Sequence, residues 1–443
     1  MEQTFFDLIN AAYNQYLSLY FIYIPLSLIG IWRWGWWVIK KLRGLFYKPY
    51  VNEYYAKVSV VIPVYKEELK RFKQTLNSIF NNKPYEVICV IDEEDKENIA
   101  YAKSIENNTL SIGNICMYTN RINIFKVIIT KEKGKRNALA KGIRASKGDI
   151  IALIDSDVIW LDDTLKNSIK PFIDPKIVGV CTRQNAINRN NVWAVITDMF
   201  WDTRNHDDLP ALSVGKALSC LSGRTAFWRR EFLLNHLDEF LNEYIFGVKK
   251  ESGEDKCLTR LAERDGYQVY YQSNAQIYSY ASTSFRKFVS QRIRWSRNTF
   301  NSDLKSMQEK WVFKKPFLCL VMIDRLISTF TVLISPTIFV LSLLFNHTAL
   351  AFVILGLWFI GRPIRHARHL SKHPNDIIFI PLYLFVNFLI ALIKMYALIT
   401  ITEQKSIRGE NKAAIWKHYL GIVSAITLLS AYILFIVIVR SVI

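Results

Sequence analysis

The chain has 443 residues, 51% of them hydrophobic and 14% aromatic, with a mean hydropathy of +0.11, which is too apolar for an ordinary soluble multidomain enzyme and points to a membrane protein with a soluble insert. The formal charge of +19 and pI near 9.5 suit anionic lipid headgroups or polyanionic substrates such as nucleotide sugars. Nucleic acid is set aside because the basic residues gather at membrane edges and no reading module is present, and the six cysteines show no CxxC spacing, so neither a zinc site nor a disulfide framework is indicated.

Leu17 to Trp37 is almost wholly apolar, with Arg33 its single full charge, and ends in Trp32, Trp34, Trp36 and Trp37 before Lys40, Lys41 and Arg43. An apolar run with an aromatic belt and a basic flank predicts a transmembrane anchor over residues 1–43, with the following domain in the cytosol. No basic segment precedes the run and no small-residue cleavage site follows it, which argues against a signal peptide. In the domain expected over 44–284, residues 57–155 alternate short β-branched runs with helix-like stretches, the pattern of a parallel sheet covered by helices. The runs are Val58 to Pro63, Glu86 to Ile91, Lys126 to Ile129 and Asp149 to Ile154.

Ligands of such sheets sit beyond the carboxyl ends of the strands, and polar residues stand there: Lys66, Glu67 and Glu68 after the first run, Asp92 at the end of the second, Asp155 and Asp157 after the fourth. Acidic residues at strand ends also serve as plain turn formers. Two carboxylates leaving a buried strand as Asp155-Ser156-Asp157 can hold magnesium or manganese, which takes few protein carboxylates and completes its shell with phosphate oxygens and water. Gly134-Lys135-Arg136-Asn137 opens a predicted helix and offers cations to phosphate, or is a basic surface turn.

The motif series is Val60-Val61-Ile62-Pro63-Val64-Tyr65, Asp92, Gly134 to Leu139, Asp155-Ser156-Asp157, Gly253-Glu254-Asp255 and Gln291-Arg292-Ile293-Arg294-Trp295. In that order it resembles the processive family 2 glycosyltransferases, which include the hyaluronan, chitin and cellulose synthases and the type 3 capsule synthases. Thr182-Arg183-Gln184 and Gly215 to Arg224 look closest to the hyaluronan and type 3 capsule branch. The resemblance implies an α/β fold: a cytosolic GT-A domain with a Rossmann-like mixed sheet, joined to an α-helical transmembrane domain with interface helices. It also implies a UDP-sugar donor, held by Pro63, Tyr65, Glu67, Asp92 against the uracil, Lys135, Asp155, Arg224 and Arg294. Asp157, with Asp155, would ligate Mg2+ or Mn2+. Asp255 would be the general base; Glu254 beside it either raises its pKa by like-charge repulsion or forms with it a plain solvated pair at a helix start. A growing glycan acceptor would rest on Trp295 and Gln291.

Gln291, Arg294 and Trp295 fall on one helical face, so Arg292 and Arg297 read as headgroup contacts. Trp193, Phe200 and Trp201 line either the core or an acceptor channel. Residues 285–317 read as amphipathic interface helices and 318–443 as the membrane domain. Its apolar candidates are Leu318 to Phe345, Thr348 to Ile360 with extension backwards, Ile377 to Ile401 and Tyr419 to Val439. Basic loops on both sides of Ile377 to Ile401, with Pro381 and Lys394 in it, predict that this segment lies in the interface or re-enters. In the loop 402–418 the chain reads Gln404 to Glu410 where hyaluronan and type 3 synthases carry Trp-Gly-Thr-Arg, leaving Arg408 to reach a phosphate.

These features predict an integral plasma-membrane enzyme that polymerises UDP-sugars into a β-linked polysaccharide and passes it across the bilayer. Two other readings are a single sugar transfer to a lipid, as in ceramide glucosyltransferases, and a non-catalytic nucleotide-sugar-binding regulator. The oligomeric state is not specified by the sequence.

Overall fold

The computed structural model describes residues 28–111 and 124–403, with no side-chain description at 108–111. The first part of the anchor run, Cys116, the loop residues Gln404 to Glu410 with Arg408, and the apolar segment from Tyr419 lie outside the described residues. The described chain divides into two compact units, one holding Arg43–Ile323 with residues 397–403, the other holding residues 28–42 and Asp324–Tyr396.

The first unit begins in strict alternation: β1 (Val58–Val64), α2 (Leu69–Asn81), β2 (Glu86–Asp92), α3 (Lys96–Ser111), β3 (Ile124–Thr130), α4 (Lys135–Ala145) and β4 (Ile150–Ile154). Helix α1 (residues 28–44) precedes them. Next come β5 (Val158–Trp160), α5 (Thr164–Ser168), β6 (Ile177–Ala186), α6 (Val192–Thr203), a π turn (Arg204–Asp208), α7 (Leu209–Ser213), β7 (Thr225–Arg229), α8 (Arg230–Asn235) and α9 (Leu237–Leu241). The hairpin β8 (Tyr244–Ile245) and β9 (Val248–Lys249), α10 (Glu254–Arg264), β10 (Gln268–Ser279) and α11 (Phe285–Gln308) complete the unit.

Eight strands form one mixed sheet in the order β3-β2-β1-β4-β7-β6-β10-β5. β1 pairs in parallel with both β2 and β4, whereas β7 runs antiparallel to β4 and β6. The fully buried pattern of β2 and β4 explains their continuous apolar sequences, since both faces of the sheet are covered. Val60 and Ile62 pack with Phe72 and Leu76 of α2, while Val61 packs with α4 and α10 through Leu139 and Leu258. Gly142 lets α4 lie against β1, because a Cβ there would overlap Val61. The chain leaves β1 toward β2 and β3 and returns beyond β1 to β4, so the carboxyl ends of β1 and β4 flank a topological switch point, where open sheets bind ligands.

The second unit is helical: α12 (Pro316–Thr331), which starts in the first unit's sequence, α13 (Ile334–Leu344), α14 (Thr348–Arg365), α15 (Ala367–Lys372) and α16 (Ile380–Ile399). Three described segments are long and apolar enough to cross a membrane, Pro316–Leu344, Thr348–Arg365 and Pro374–Ile399. One expectation changes. The Thr348 segment extends forwards, not backwards, because Arg365 stacks at 4.6 Å on Trp34 of α1 and donates to the Arg33 carbonyl at 3.1 Å. Gly361 brings α14 close to the same indole. Pro381 stands in the first turn of α16, where its missing N–H costs nothing, so the helix is not interrupted there.

Candidate active site

β4 delivers Asp155-Ser156-Asp157 at the switch point, and two neighbours fix this turn. The Asp155 N–H donates to the Arg224 carbonyl at 3.1 Å, and Thr75 Oγ1 donates to the Ser156 carbonyl at 2.9 Å. From the end of β1, Glu67 accepts the Ser156 hydroxyl at 3.2 Å. Burial pushes the Asp157 carboxyl up to about 6, reinforced by Asp155 and Glu67 and opposed by Arg224 and Lys135. Two neighbouring carboxylates with this excess of negative field fit a hard divalent cation. Among the described residues no group of three or more His, Cys, Asp or Glu forms a metal shell, so Asp155 and Asp157 would supply two ligands and a diphosphate the rest.

Lys135 links this turn to α10. Gly134, at φ +106°, turns the chain into α4 so that Lys135 Nζ lies 2.5 Å from Asp155 Oδ1 and contacts Glu254 Oε1. Burial pushes the Glu254 carboxyl up, but the Lys135 ammonium outweighs it and holds the group down at about 2.

Asp255 sits in the first turn of α10, where the helix dipole favours a carboxylate, after Gly253 at φ +80°. Its Oδ1 accepts the Lys256 N–H at 2.8 Å, and its Oδ2 accepts from the Gly223 N–H and the Cys220 thiol, each at 3.3 Å. Burial, with the Asp255 charge beside it, pushes the Cys220 thiol up, so it stays protonated and donates. A Cβ on Gly223 would meet Glu254 Oε1 at 3.2 Å and Lys135 Nζ at 3.5 Å, so glycine keeps the strand-to-helix gap open.

Arg224 ties these carboxylates to α11. Its Nε donates to Ser279 Oγ at 2.7 Å, and its guanidinium lies 4.4 Å from the Trp201 ring and 5.3 Å from the Trp295 ring. Gln291 accepts the Ser282 hydroxyl at 3.1 Å, and Arg294 is exposed. Lys135, Asp155, Asp157, Glu254, Arg224 and Trp295 thus form one connected set, which Asp255 joins through the N–H of Gly223, the residue before Arg224. Asp92, 6% exposed, ends β2 two strands from β4 and accepts the Glu94 N–H at 3.0 Å, while Tyr65 stands exposed beyond Pro63 at the end of β1.

The headgroup reading of Arg297 does not hold: it is 5% exposed and donates to Thr400 Oγ1 at 2.7 Å and Glu403 Oε2 at 2.7 Å. Arg292 likewise turns inward, onto aromatic rings. The sequence reading passed over Arg204, whose guanidinium donates to Gln184 Oε1 at 3.4 Å and the Cys220 carbonyl at 3.1 Å. It rides on the π turn, which no regular periodicity announces.

A GT-A-like sheet with a carboxylate pair at its switch point, joined through Lys135 to the acidic start of α10, defines the class: a glycosyltransferase. The sequence profile described as glycosyltransferase like family 2 matches residues 56–298, more than half of the chain, and the chain belongs to that family. Hyaluronan synthase of Streptococcus pyogenes serotype M3 is 27% identical over 402 residues, covering 87% of this chain and 91% of the relative. A type 2 glycosyltransferase of Zymoseptoria tritici is 26% identical over 416 residues, covering 85% and 83%. Among solved structures, the mannosyltransferase PcManGT of Pyrobaculum calidifontis, in complex with GDP-Man and Mn2+, matches with TM-score 0.56 and 18% identity over 86% of this chain and 99% of that one, which supports the fold.

Proposed function

We propose that the chain is a membrane-embedded inverting glycosyltransferase that polymerises one or more UDP-sugars into a β-linked polysaccharide and translocates it. The observation that carries this reading is the bridge that Lys135 makes between Asp155 and Glu254, the neighbour of Asp255 at the head of α10, with Arg224 placed between the field of Asp155 and Asp157 and the Trp295 ring. Asp92 and Tyr65 hold the uracil end of the donor, and Glu67 steadies the Asp155–Asp157 turn. Trp295 supports the acceptor's terminal sugar and Gln291 bonds it.

Asp255 takes the proton of the acceptor hydroxyl. Its oxygen then attacks the anomeric carbon opposite the departing UDP, so one bond forms, one breaks and the configuration inverts. Lys135 and Arg294 meet the charge that grows on the diphosphate, usually the larger electrostatic effect. A divalent cation held by Asp155 and Asp157 would add Lewis-acid neutralisation of the same diphosphate.

The experiment is to supply the purified chain with UDP-sugars singly and in pairs, with Mn2+ or Mg2+, and to size the product. A long glycan is expected. A product that partitions into organic solvent and never grows would overturn polymerisation in favour of lipid glycosylation, and absence of UDP release with every donor would overturn catalysis. The catalytic unit faces the cytosol of a plasma-membrane protein in this reading. A cysteine placed at Ser406 should then resist an impermeant thiol reagent in sealed cells.

A further inference from the structure

Trp295 lies at the centre of a stack of rings and guanidiniums. Arg292, less than one turn back on α11, places its guanidinium 5.3 Å from the Trp295 ring centroid, 4.6 Å from Phe200 and 4.9 Å from Phe288. Its Nε and Nη2 are buried, and Phe288 is fully buried beneath it. Phe288, Arg292 and Trp295 follow at i, i+4 and i+7, one face of the helix. Arg224, anchored on Ser279, adds a second guanidinium 5.3 Å from the same indole.

A free indole turns about two side-chain bonds, whereas a sugar face gains from stacking only when the ring is already held in place. Arginine suits the holding role because its guanidinium is planar, weakly hydrated and able to lie on several rings at once; a lysine ammonium is a compact, strongly hydrated point charge. Arg294, exposed and within the electrostatic reach of Arg224 and Glu254, has a different task, so the two arginines of the pentapeptide divide between chemistry and support.

We propose that Arg292 is a positioning residue for glycosyl transfer: its guanidinium, wedged among Phe200, Phe288 and Trp295, sets the plane of the indole that receives the acceptor. The proposal rests on the reading of Trp295 as the acceptor platform. It makes Arg292 act on the acceptor step and through Trp295 alone.

The test uses the full chain in nanodiscs, with the UDP-sugar of the panel that releases UDP fastest. Arg292→Met should lower kcat about tenfold, the scale of one desolvated cation–π contact, with donor KM within about twofold. Arg292→Lys should recover part of the loss. The double variant Arg292→Met, Trp295→Ala should be no slower than Trp295→Ala alone. If Arg292→Met turns over normally while Trp295→Ala is impaired, the positioning role falls and the platform reading stands. If Trp295→Ala turns over normally, the platform reading falls and takes the proposal with it. Additive losses in the double variant, or a rise in donor KM matching the fall in kcat, also overturn the positioning role. Should Arg292→Met not fold, as judged by its melting temperature, Arg292→Lys carries the test: reduced kcat at constant donor KM supports the proposal, and an unchanged kcat overturns it.

Discussion

Lys135 and Arg136 are neighbours in the first turn of α4, yet they enter charge clusters of opposite character. Arg136 donates to Glu243 Oε2 at 2.7 Å and to the Phe240 carbonyl at 2.7 Å; Arg260 donates to the other Glu243 oxygen at 3.1 Å and takes both Glu309 oxygens at 2.6 and 2.8 Å. Arg136, Arg260 and Glu243 are almost wholly shielded from solvent, and each Glu243 oxygen is met by its own guanidinium. Lys135 instead shares one ammonium between Asp155 and Glu254, at a place a third open to water. A point charge with three rotatable donors can turn to an incoming phosphate, whereas a guanidinium committed to a buried carboxylate cannot. The difference teaches how one helix start supplies both a structural lock and a responsive cation.

The comparison breaks first at the chemistry. Asp255→Asn should reduce glycosyl transfer by about a thousandfold, the scale of a lost general base, while UDP binding by calorimetry stays near wild type. Full activity in that variant would remove Asp255 from its role. On the responsive side, Lys135→Met leaves Asp155 and Glu254 without their shared cation, and kcat should fall about a hundredfold. Lys135→Arg should rescue little, since a planar fork does not fit between the two carboxylates; full rescue would erase the contrast with Arg136.

On the locked side, Arg260→Ala removes the paired guanidinium from Glu309 and leaves Glu243 with Arg136 alone, and should cost about 3 kcal/mol of stability in denaturant titration, with donor KM unchanged in the folded fraction. The smallest effect concerns pH. Burial pushes the Glu263 carboxyl up to about 7, against the pull of Lys315 at 3.9 Å and the Leu218 N–H. A raised folded pKa favours the protonated form, so this contribution is whole below the unfolded value of 4.5 and is lost as pH rises through about 7. Glu263→Gln should therefore flatten the fall in melting temperature between pH 5 and pH 8, worth on the order of 2–3 kcal/mol.

The sheet was legible because doubly covered strands write themselves as unbroken apolar runs, as Ile150 to Ile154 does, and because Asp155 and Asp157 follow such a run directly. Asp255 was legible only through the order of motifs. The roles of Arg292 and Arg297 were not, since helical periodicity tells which residues share a face and not what covers it. Arg292 is covered by Phe200, distant in sequence, and Arg297 by Thr400 and Glu403, about a hundred residues on. The forward reach of α14 was hidden for the same reason: its stacking partner, Trp34, belongs to a helix more than three hundred residues earlier.

The π turn at Arg204–Asp208 carries a consequence for how this segment tolerates change in length. A wider turn is a helix that has absorbed one surplus residue. Deleting a residue there would restore regular winding, but it would swing everything on one side of the cut by about 100° relative to the other. Arg204 would leave Gln184 and Cys220, and Trp201, which backs Arg224, would rotate out of register with β6. The segment is held to its length by the aim of its side chains, so a deletion that improves the helix would dismantle the wall behind the base.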